Sequence, residues 1–212
     1  MKYYPVYLDL RDRPCVIAGG GGVAERKTLS LLEAGADVTV VSPSLTPKLQ
    51  ELSLSGKISH RLKKFEDRDM EHAYLVIAAT DSLELNADIG KSCRKRHILV
   101  NVAAPPEEST FLVPSVVDRG DLLIAVSTCG SSPALSKKIR QELELHYGEE
   151  YELFLEKMSL VRDRLMGEMG DEATRRAVFQ AIVDSDVLDL IRQGKTHEAD
   201  HRIAELSGAL RR

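Results

Sequence analysis

The sequence predicts an α/β fold: a parallel sheet with helices on both faces, then a β-hairpin with its own helix, then an all-helical segment. Three observations carry this expectation. From Pro14 to Val102, short apolar runs alternate with segments of helical period, the pattern of a parallel sheet covered on both sides. Two further apolar runs are separated only by Asp118-Arg119-Gly120-Asp121, a gap that permits a hairpin and forbids a helical crossover. From Glu149 onward the apolar spacing is helical throughout.

Pro14 to Ala18 reads as a short buried strand. Val23 to Glu33 reads as a helix, with Ala24, Thr28, Leu31 and Leu32 on one face and Gly35 where a helix C-terminus wants a left-handed residue. Asp37 to Ser42 is a second strand, Ser44 to Leu54 a helix, and Lys57 to Leu62 a third strand. Tyr74 to Ala79 is unbroken in its apolarity, as a central parallel strand would be. A helix follows over Leu83 to Arg96 and a fifth strand over His97 to Val102. After Pro105-Pro106, Phe111 to Val117 and Leu122 to Ser127 form the hairpin. Ser132-Pro133 is a serine N-cap with proline at the first helical position. Leu135, Ile139 and Leu143 continue that helix to about Gly148. Tyr151, Phe154, Met158, Val161 and Leu165 mark the next helix, and two or three more fill Asp171 to Arg212.

The 212 residues are 43% hydrophobic and 29% charged, an ordinary globular composition, and a net charge of -4 gives no electrostatic reason to expect nucleic acid or an anionic membrane. No apolar run reaches the roughly 18–20 residues of a membrane span. The first residues, MKYYPVYLDLRDRP, lack the apolar core of a signal peptide. Cys15, Cys93 and Cys129 are odd in number and far apart, which suits a reducing compartment such as the cytoplasm.

Gly19-Gly20-Gly21-Gly22-Val23-Ala24 fits GxGxxA between a strand and a helix. Gly19 would allow the tight turn, Gly21 would let a pyrophosphate approach the backbone, and Ala24 would keep the helix close to the sheet. The free N–H groups at the helix start would hold the phosphates. Some 20 residues on, where a ribose-binding acid usually sits, this chain has Ser42 and Pro43. Ser42 either bonds a ribose hydroxyl or starts a turn, and no arginine follows to take a 2′-phosphate, which prefers NAD over NADP. Ala79-Thr80-Asp81 and Asn101 end strands at the edge where open parallel sheets bind ligands. Asp81 also reads as the N-cap of the following helix. His197-Glu198-Ala199-Asp200-His201 matches HExxH, but no His, Cys or Asp follows, so an exposed polar helix face is expected and no metal site is assigned.

At this point the sequence resembles a known family. YPVYLDLRDRPCVIAGGGGVAERKTLSLLEAGADVTVVSP, then LVIAATDSLELN, ILVNV and TFLVPSVVDRGDLLIAVSTCGSSPALSKKIRQELE are similar to the N-terminal module of siroheme synthases and to stand-alone precorrin-2 dehydrogenases. The similarity runs from Tyr4 to about Glu144 and fades over the C-terminal helices. It implies a Rossmann NAD-binding domain over 1–111, a dimerisation region over 112–148 and a helical domain over 149–212, with the active site in the cleft beside the dimerisation region. It implies a homodimer that oxidises precorrin-2 to sirohydrochlorin with NAD; some members also insert ferrous iron. Cofactor contacts are then expected from Gly19, Gly20, Gly21, Gly22, Val23, Ala24, Ser42, Pro43, Ser44, Ala79, Thr80, Asn101 and Val102. Ser127, Thr128 and Lys137 would meet the tetrapyrrole, with Arg11, Arg13, Arg119 and Lys138 as further cations for its carboxylates. Thr128 matches a phosphorylatable serine of the family and otherwise reads as a strand residue with a satisfied hydroxyl.

One departure stands out. The family commonly carries an aspartate shortly after the asparagine of its NV motif, and the matching position here is Ala104. An alanine can neither accept a proton nor ligate a metal. Another group or solvent must then take the proton, unless the alanine is an engineered substitution; Asp81 is the second catalytic candidate. Two other readings follow from the same residues: a ferrochelatase that keeps the dehydrogenase fold, and a non-catalytic NAD-responsive binding module.

Overall fold

The computed structural model describes residues 2–168 and 171–209, so positions 169–170 and 210–212 of the expected helical segment lie outside the described residues. The chain forms two compact units, one up to Val113 and one from Pro114.

The first unit is a five-stranded, wholly parallel sheet: β1 (Pro14–Ala18), β2 (Asp37–Val41), β3 (Ser59–Arg61), β4 (Leu75–Ala78) and β5 (Leu99–Val102), in the order β3-β2-β1-β4-β5. Helices α1 (Gly22–Glu33), α2 (Pro47–Leu54) and α3 (Leu83–Lys95) connect strands. Strand periodicity divides the core in two. Cys15, Ile17, Val38, Val40, Leu75 and Ile77 face α1 and α2, packing with Ala24, Leu31, Leu49 and Leu52. Val16, Ala18, Val76, Ala78, Val100 and Val102 face α3, packing with Ile89 and Cys93. This is the Rossmann-like arrangement the sequence predicts. The strand order reverses between β1 and β4, the place where such sheets bind ligands.

Several boundaries differ from expectation, each for a physical reason. The helix expected from Ser44 begins at Pro47. Proline cannot sit inside a helix and forces its predecessor to be extended, so Thr46 (φ -62, ψ 159) becomes the N-cap and accepts from the Leu49 N–H. The third strand loses Lys57 and Ile58, whose N–H groups both donate to the Leu52 carbonyl and close the α2 C-terminus around left-handed Gly56. The fifth strand loses His97, which takes φ 57 to end α3: its N–H bonds Arg94 O, and that of Ile98 bonds Cys93 O. At α1 the expected Gly35 stop is present, with φ +75 and the paired bonds Gly35 N–H to Leu32 O and Ala36 N–H to Leu31 O.

The strand expected from Phe111 instead starts at Ser115. Residues 109–111 are held along the free edge of β5, largely by side chains. Thr110 N–H donates to Val100 O (2.8 Å), Val100 N–H to Thr110 Oγ1 (2.8 Å), Val102 N–H to Ser109 Oγ (2.9 Å) and Asn101 Nδ2 to Phe111 O (3.2 Å). The edge is thereby satisfied without a sixth strand.

In the second unit β6 (Ser115–Arg119) and β7 (Leu122–Val126) pair antiparallel through a two-residue turn, with Gly120 at φ +65 in its first position. One face packs on α4 (Pro133–His146) and α5 (Glu150–Glu168); the other leaves Val116 and Leu123 exposed. Phe154, Val161 and Leu165 of α5 form a core with Val178 and Ile182 of α6 (Glu172–Val183), Val187 and Ile191 of α7 (Val187–Arg192), and Ala199 and Ile203 of α8 (Thr196–Ala209).

Candidate functional site

The sheet register aligns the carboxyl ends of four strands. Val41, Ala18, Ala78 and Val102 are mutual partners in one row, so Ser42, Gly19, Ala79 and Ala103 all lie one residue beyond it. Residues 60 positions apart in sequence are thus brought to one edge.

The glycine loop spans β1 and α1. At Gly19 (φ +115) a β-carbon would lie 2.2 Å from Ala79 O, so only glycine fits both the turn and the close approach to β4. Gly20 is equally constrained from the other side: a β-carbon there would meet Ser44 O at 1.9 Å and Ser42 Oγ at 2.8 Å. The motif leaves Gly20 free, so its need for glycine was not visible in the sequence. Gly21 and Gly22 differ, because a β-carbon at either would enter open space. Gly21 is the N-cap of α1 in extended backbone (φ -86, ψ -173), and no side chain caps the helix. The leading N–H groups of α1 and the positive end of its dipole therefore carry no side-chain cap, and the β-carbon positions beside them are open. Ala24 beneath them is fully buried, as close helix–sheet packing requires. These residues fit a dinucleotide pyrophosphate.

At the β2 exit Ser42 is buried. Its hydroxyl accepts from the Ser44 N–H (3.4 Å) and its carbonyl is 2.9 Å from His60 Nε2, while Pro43 and Ser44 are exposed. A ribose would thus meet Pro43 and Ser44 more directly than Ser42. At the β4 exit, Ser82 and not Asp81 is the N-cap of α3, accepting from the Leu85 N–H; Asp81 is exposed. A buried side chain that sequence reasoning did not single out organises this edge. Asn86 Oδ1 accepts from Thr80 N–H (3.0 Å) and Thr80 O–H (2.7 Å), and its Nδ2 donates to Thr80 O (3.0 Å) and Ala104 O (3.3 Å). The available signal was an asparagine on the buried face of α3, in phase with Ile89, Gly90 and Cys93. Asn101 is half-buried and spends its amide on Phe111 O, and Ala104 is half-buried too. Burial pushes the thiols of Cys15 and Cys93 up to about 11, so both stay protonated and inert within the two cores of the sheet.

Ser127, Thr128 and Lys137 belong to the second unit. β7 ends at Val126, so Ser127 and Thr128 lie in the turn leading to α4. Thr128 Oγ1 donates to Ser132 O (3.0 Å), accepts from the Ser132 N–H (3.0 Å) and is 3.1 Å from the buried Ser136 Oγ. Its hydroxyl is therefore satisfied, though in a turn and not in a strand. Ser127 Oγ accepts from the Cys129 N–H, and Lys137 is exposed on α4. Among the other cations, Arg11 pairs with Asp9 and Lys138 with Glu142. Arg13 stacks over Tyr74, and Arg119 donates to Tyr147 O. On α8, His201 lies 3.5 Å from Glu205, and Arg202 bonds Asp186.

Comparison with known proteins gives a consistent picture. Residues 6–115 match a family model described as "Putative NAD(P)-binding", and residues 119–146 match one described as "Sirohaem biosynthesis protein central". The chain is 39% identical over 213 aligned positions to a siroheme synthase of Methylobacillus flagellatus, covering 98% of this chain and 45% of that protein. It is 37% identical to a siroheme synthase of Nitrosospira multiformis, covering 94% and 43%. The chain thus spans less than half the length of these relatives. Among solved structures it is similar to SirC, a precorrin-2 dehydrogenase, with TM-score 0.79 and 28% identity over 96% of this chain and 100% of that one.

Proposed function

This chain belongs to the NAD(P)-binding family of siroheme synthases and precorrin-2 dehydrogenases, and from that premise we propose that it oxidises precorrin-2 to sirohydrochlorin with NAD. The observation that carries the proposal is the uncapped start of α1 behind Gly21 and Gly22, whose open β-carbon positions leave room for a pyrophosphate. When bound, NAD supplies the hydride acceptor. The N–H groups of Gly21 to Ala24 would hold the phosphates, the Ser42-Pro43-Ser44 turn would meet the ribose, and Ala79, Thr80, Asn101 and Val102 would flank the cofactor. Ser127, Thr128 and Lys137 are proposed to meet the tetrapyrrole carboxylates. Oxidation removes one hydride and one proton from the macrocycle. The proton goes to solvent or to exposed Asp81, since Ala104 has no group to take it.

The working form is proposed to be a homodimer through 112–148. A two-stranded hairpin is marginal alone, and exposed Val116 and Leu123 would be covered by a second copy. A monomeric mass by light scattering at micromolar concentration would overturn this. Among the described residues no helix is long and apolar enough to cross a membrane, and three free cysteines suit a cytoplasmic setting. Ferrous iron enters this reading as a second substrate, with slow insertion expected from Ala104.

The test is incubation with precorrin-2 and NAD while NADH and sirohydrochlorin absorbance are followed together. Equal rise of both supports the dehydrogenase. NAD binding without turnover would favour a binding module, and iron insertion without NAD would favour a chelatase.

A further inference from the structure

We propose that Asn86 is a positioning residue that holds the glycine turn, the β4 exit and the backbone of residue 104 in one geometry; this rests on the NAD-dependent reading above. The residue is 1% exposed, and its side chain offers two donors and a two-lone-pair acceptor. All of that capacity is used. Oδ1 accepts from Thr80 N–H and O–H, and Nδ2 divides its hydrogens between Thr80 O and Ala104 O.

The two sides of this clamp are the β4 exit, against which the glycine turn packs, and the backbone of residue 104. The Ala79–Thr80 peptide is the surface against which Gly19 turns: a β-carbon at Gly19 would touch Ala79 O at 2.2 Å and Thr80 N at 3.1 Å. Any shift of that peptide therefore moves the turn that aims the α1 N–H groups. On the other side, the sheet ladder of β5 extends to Ala103, whose N–H donates to Ala78 O (2.9 Å). One residue further on, at the position where the family carries its acid, Asn86 holds the Ala104 carbonyl. If core stability alone were needed here, an apolar side chain on this face of α3 would supply it without the desolvation of an amide. The amide adds fixed directions between segments that the sheet does not tie at this level.

The test compares wild type, Asn86→Asp and Asn86→Ala. Leu52→Ala serves as a control that opens a cavity in the core beside the start of β3, at the opposite ends of the strands. Three quantities are measured on the full chain: the calorimetric NAD dissociation constant, the melting temperature, and kcat and KM with precorrin-2. Both Asn86 variants should fold, bind NAD about tenfold more weakly, and lose about 10–100-fold in kcat, as expected when reacting groups are misplaced by a fraction of an ångström to one ångström. Asn86→Asp should regain NAD affinity as pH falls, because a protonated acid again offers a donor where a carboxylate cannot. Leu52→Ala should lose melting temperature with NAD affinity and kcat at wild-type values. Wild-type affinity and kcat in both Asn86 variants would overturn the proposal, and so would failure of both to fold, which would make Asn86 scaffold only. Absence of NAD binding by the wild type would instead overturn the functional reading, and this inference with it.

Discussion

Replacing Gly21 by aspartate separates the fold from the ligand, because the two should respond with opposite signs. Gly21 is the N-cap of α1 in extended backbone that any residue adopts, and a β-carbon there meets nothing within 4 Å. An aspartate at this position would accept from the N–H groups one turn into the helix. Aspartate is a better N-cap than glycine by a few tenths of a kcal/mol, and a negative charge at a helix start adds about 0.3–1 kcal/mol. The first unit should therefore gain about 0.5–1 kcal/mol, a rise of roughly 2–8 °C in melting temperature for a domain of this size. NAD should respond the other way. The carboxylate would occupy the N–H groups proposed to bind the pyrophosphate and repel it. Charge-assisted hydrogen bonds are worth about 1.5–3 kcal/mol each, so losing two weakens binding by about 3–6 kcal/mol, or roughly two to four orders of magnitude in Kd. Thermal unfolding and NAD calorimetry on the same preparation read both. A variant that melts higher and still binds NAD normally would refute the placement of the phosphates at α1. One that melts far lower would refute the reading of Gly21 as sterically open.

The neighbouring glycine should behave in reverse: Gly20→Ala drives a β-carbon into the Ser44 carbonyl, and overpacking against backbone costs about 1–3 kcal/mol, seen as a lower melting temperature even without ligand. Ala104→Asp should raise precorrin-2 turnover by about 10²–10⁴-fold, the usual worth of a positioned acid–base group, and leave the NAD dissociation constant within a few-fold; equal turnover in side-by-side steady-state assays would show the carboxylate to be dispensable. For Asp69, burial pushes the carboxyl up, but bonds from Lys63, the Glu66 N–H and Arg61 outweigh this and hold it below its ordinary range. Its folded value is depressed, so its stabilisation is present above the unfolded value of about 3.9 and is lost as pH falls through the lower folded value. Asp69→Asn should then cost about 1–3 kcal/mol at pH 7, and denaturant melts should show the gap from wild type closing below about pH 4.

Much of this chain is legible because its signals are local. A strand, four glycines and an amphipathic helix within twenty residues predict the β1–α1 unit, and Gly35 and Ser132-Pro133 mark helix ends by the backbone chemistry of single residues. Periodicity likewise separates the parallel sheet from the helical segment, since it reports which face of each element is buried. What the tertiary structure alone decided depends on which strands become neighbours. Gly20 needs to be glycine because the β2 exit lies against it, a contact made across more than twenty residues of sequence. The apolar run at Phe111 is not strand because Thr110 and Ser109 bond the edge of β5 with their hydroxyls, which a propensity argument cannot foresee. Asn86 looks like a polar misfit on the α3 face until β4 and β5 are placed side by side, when its amide meets Thr80 and the Ala104 carbonyl. Local sequence sets backbone conformation and burial pattern over a few residues, whereas steric fit and buried hydrogen bonds are properties of segments that only folding brings within 3 Å.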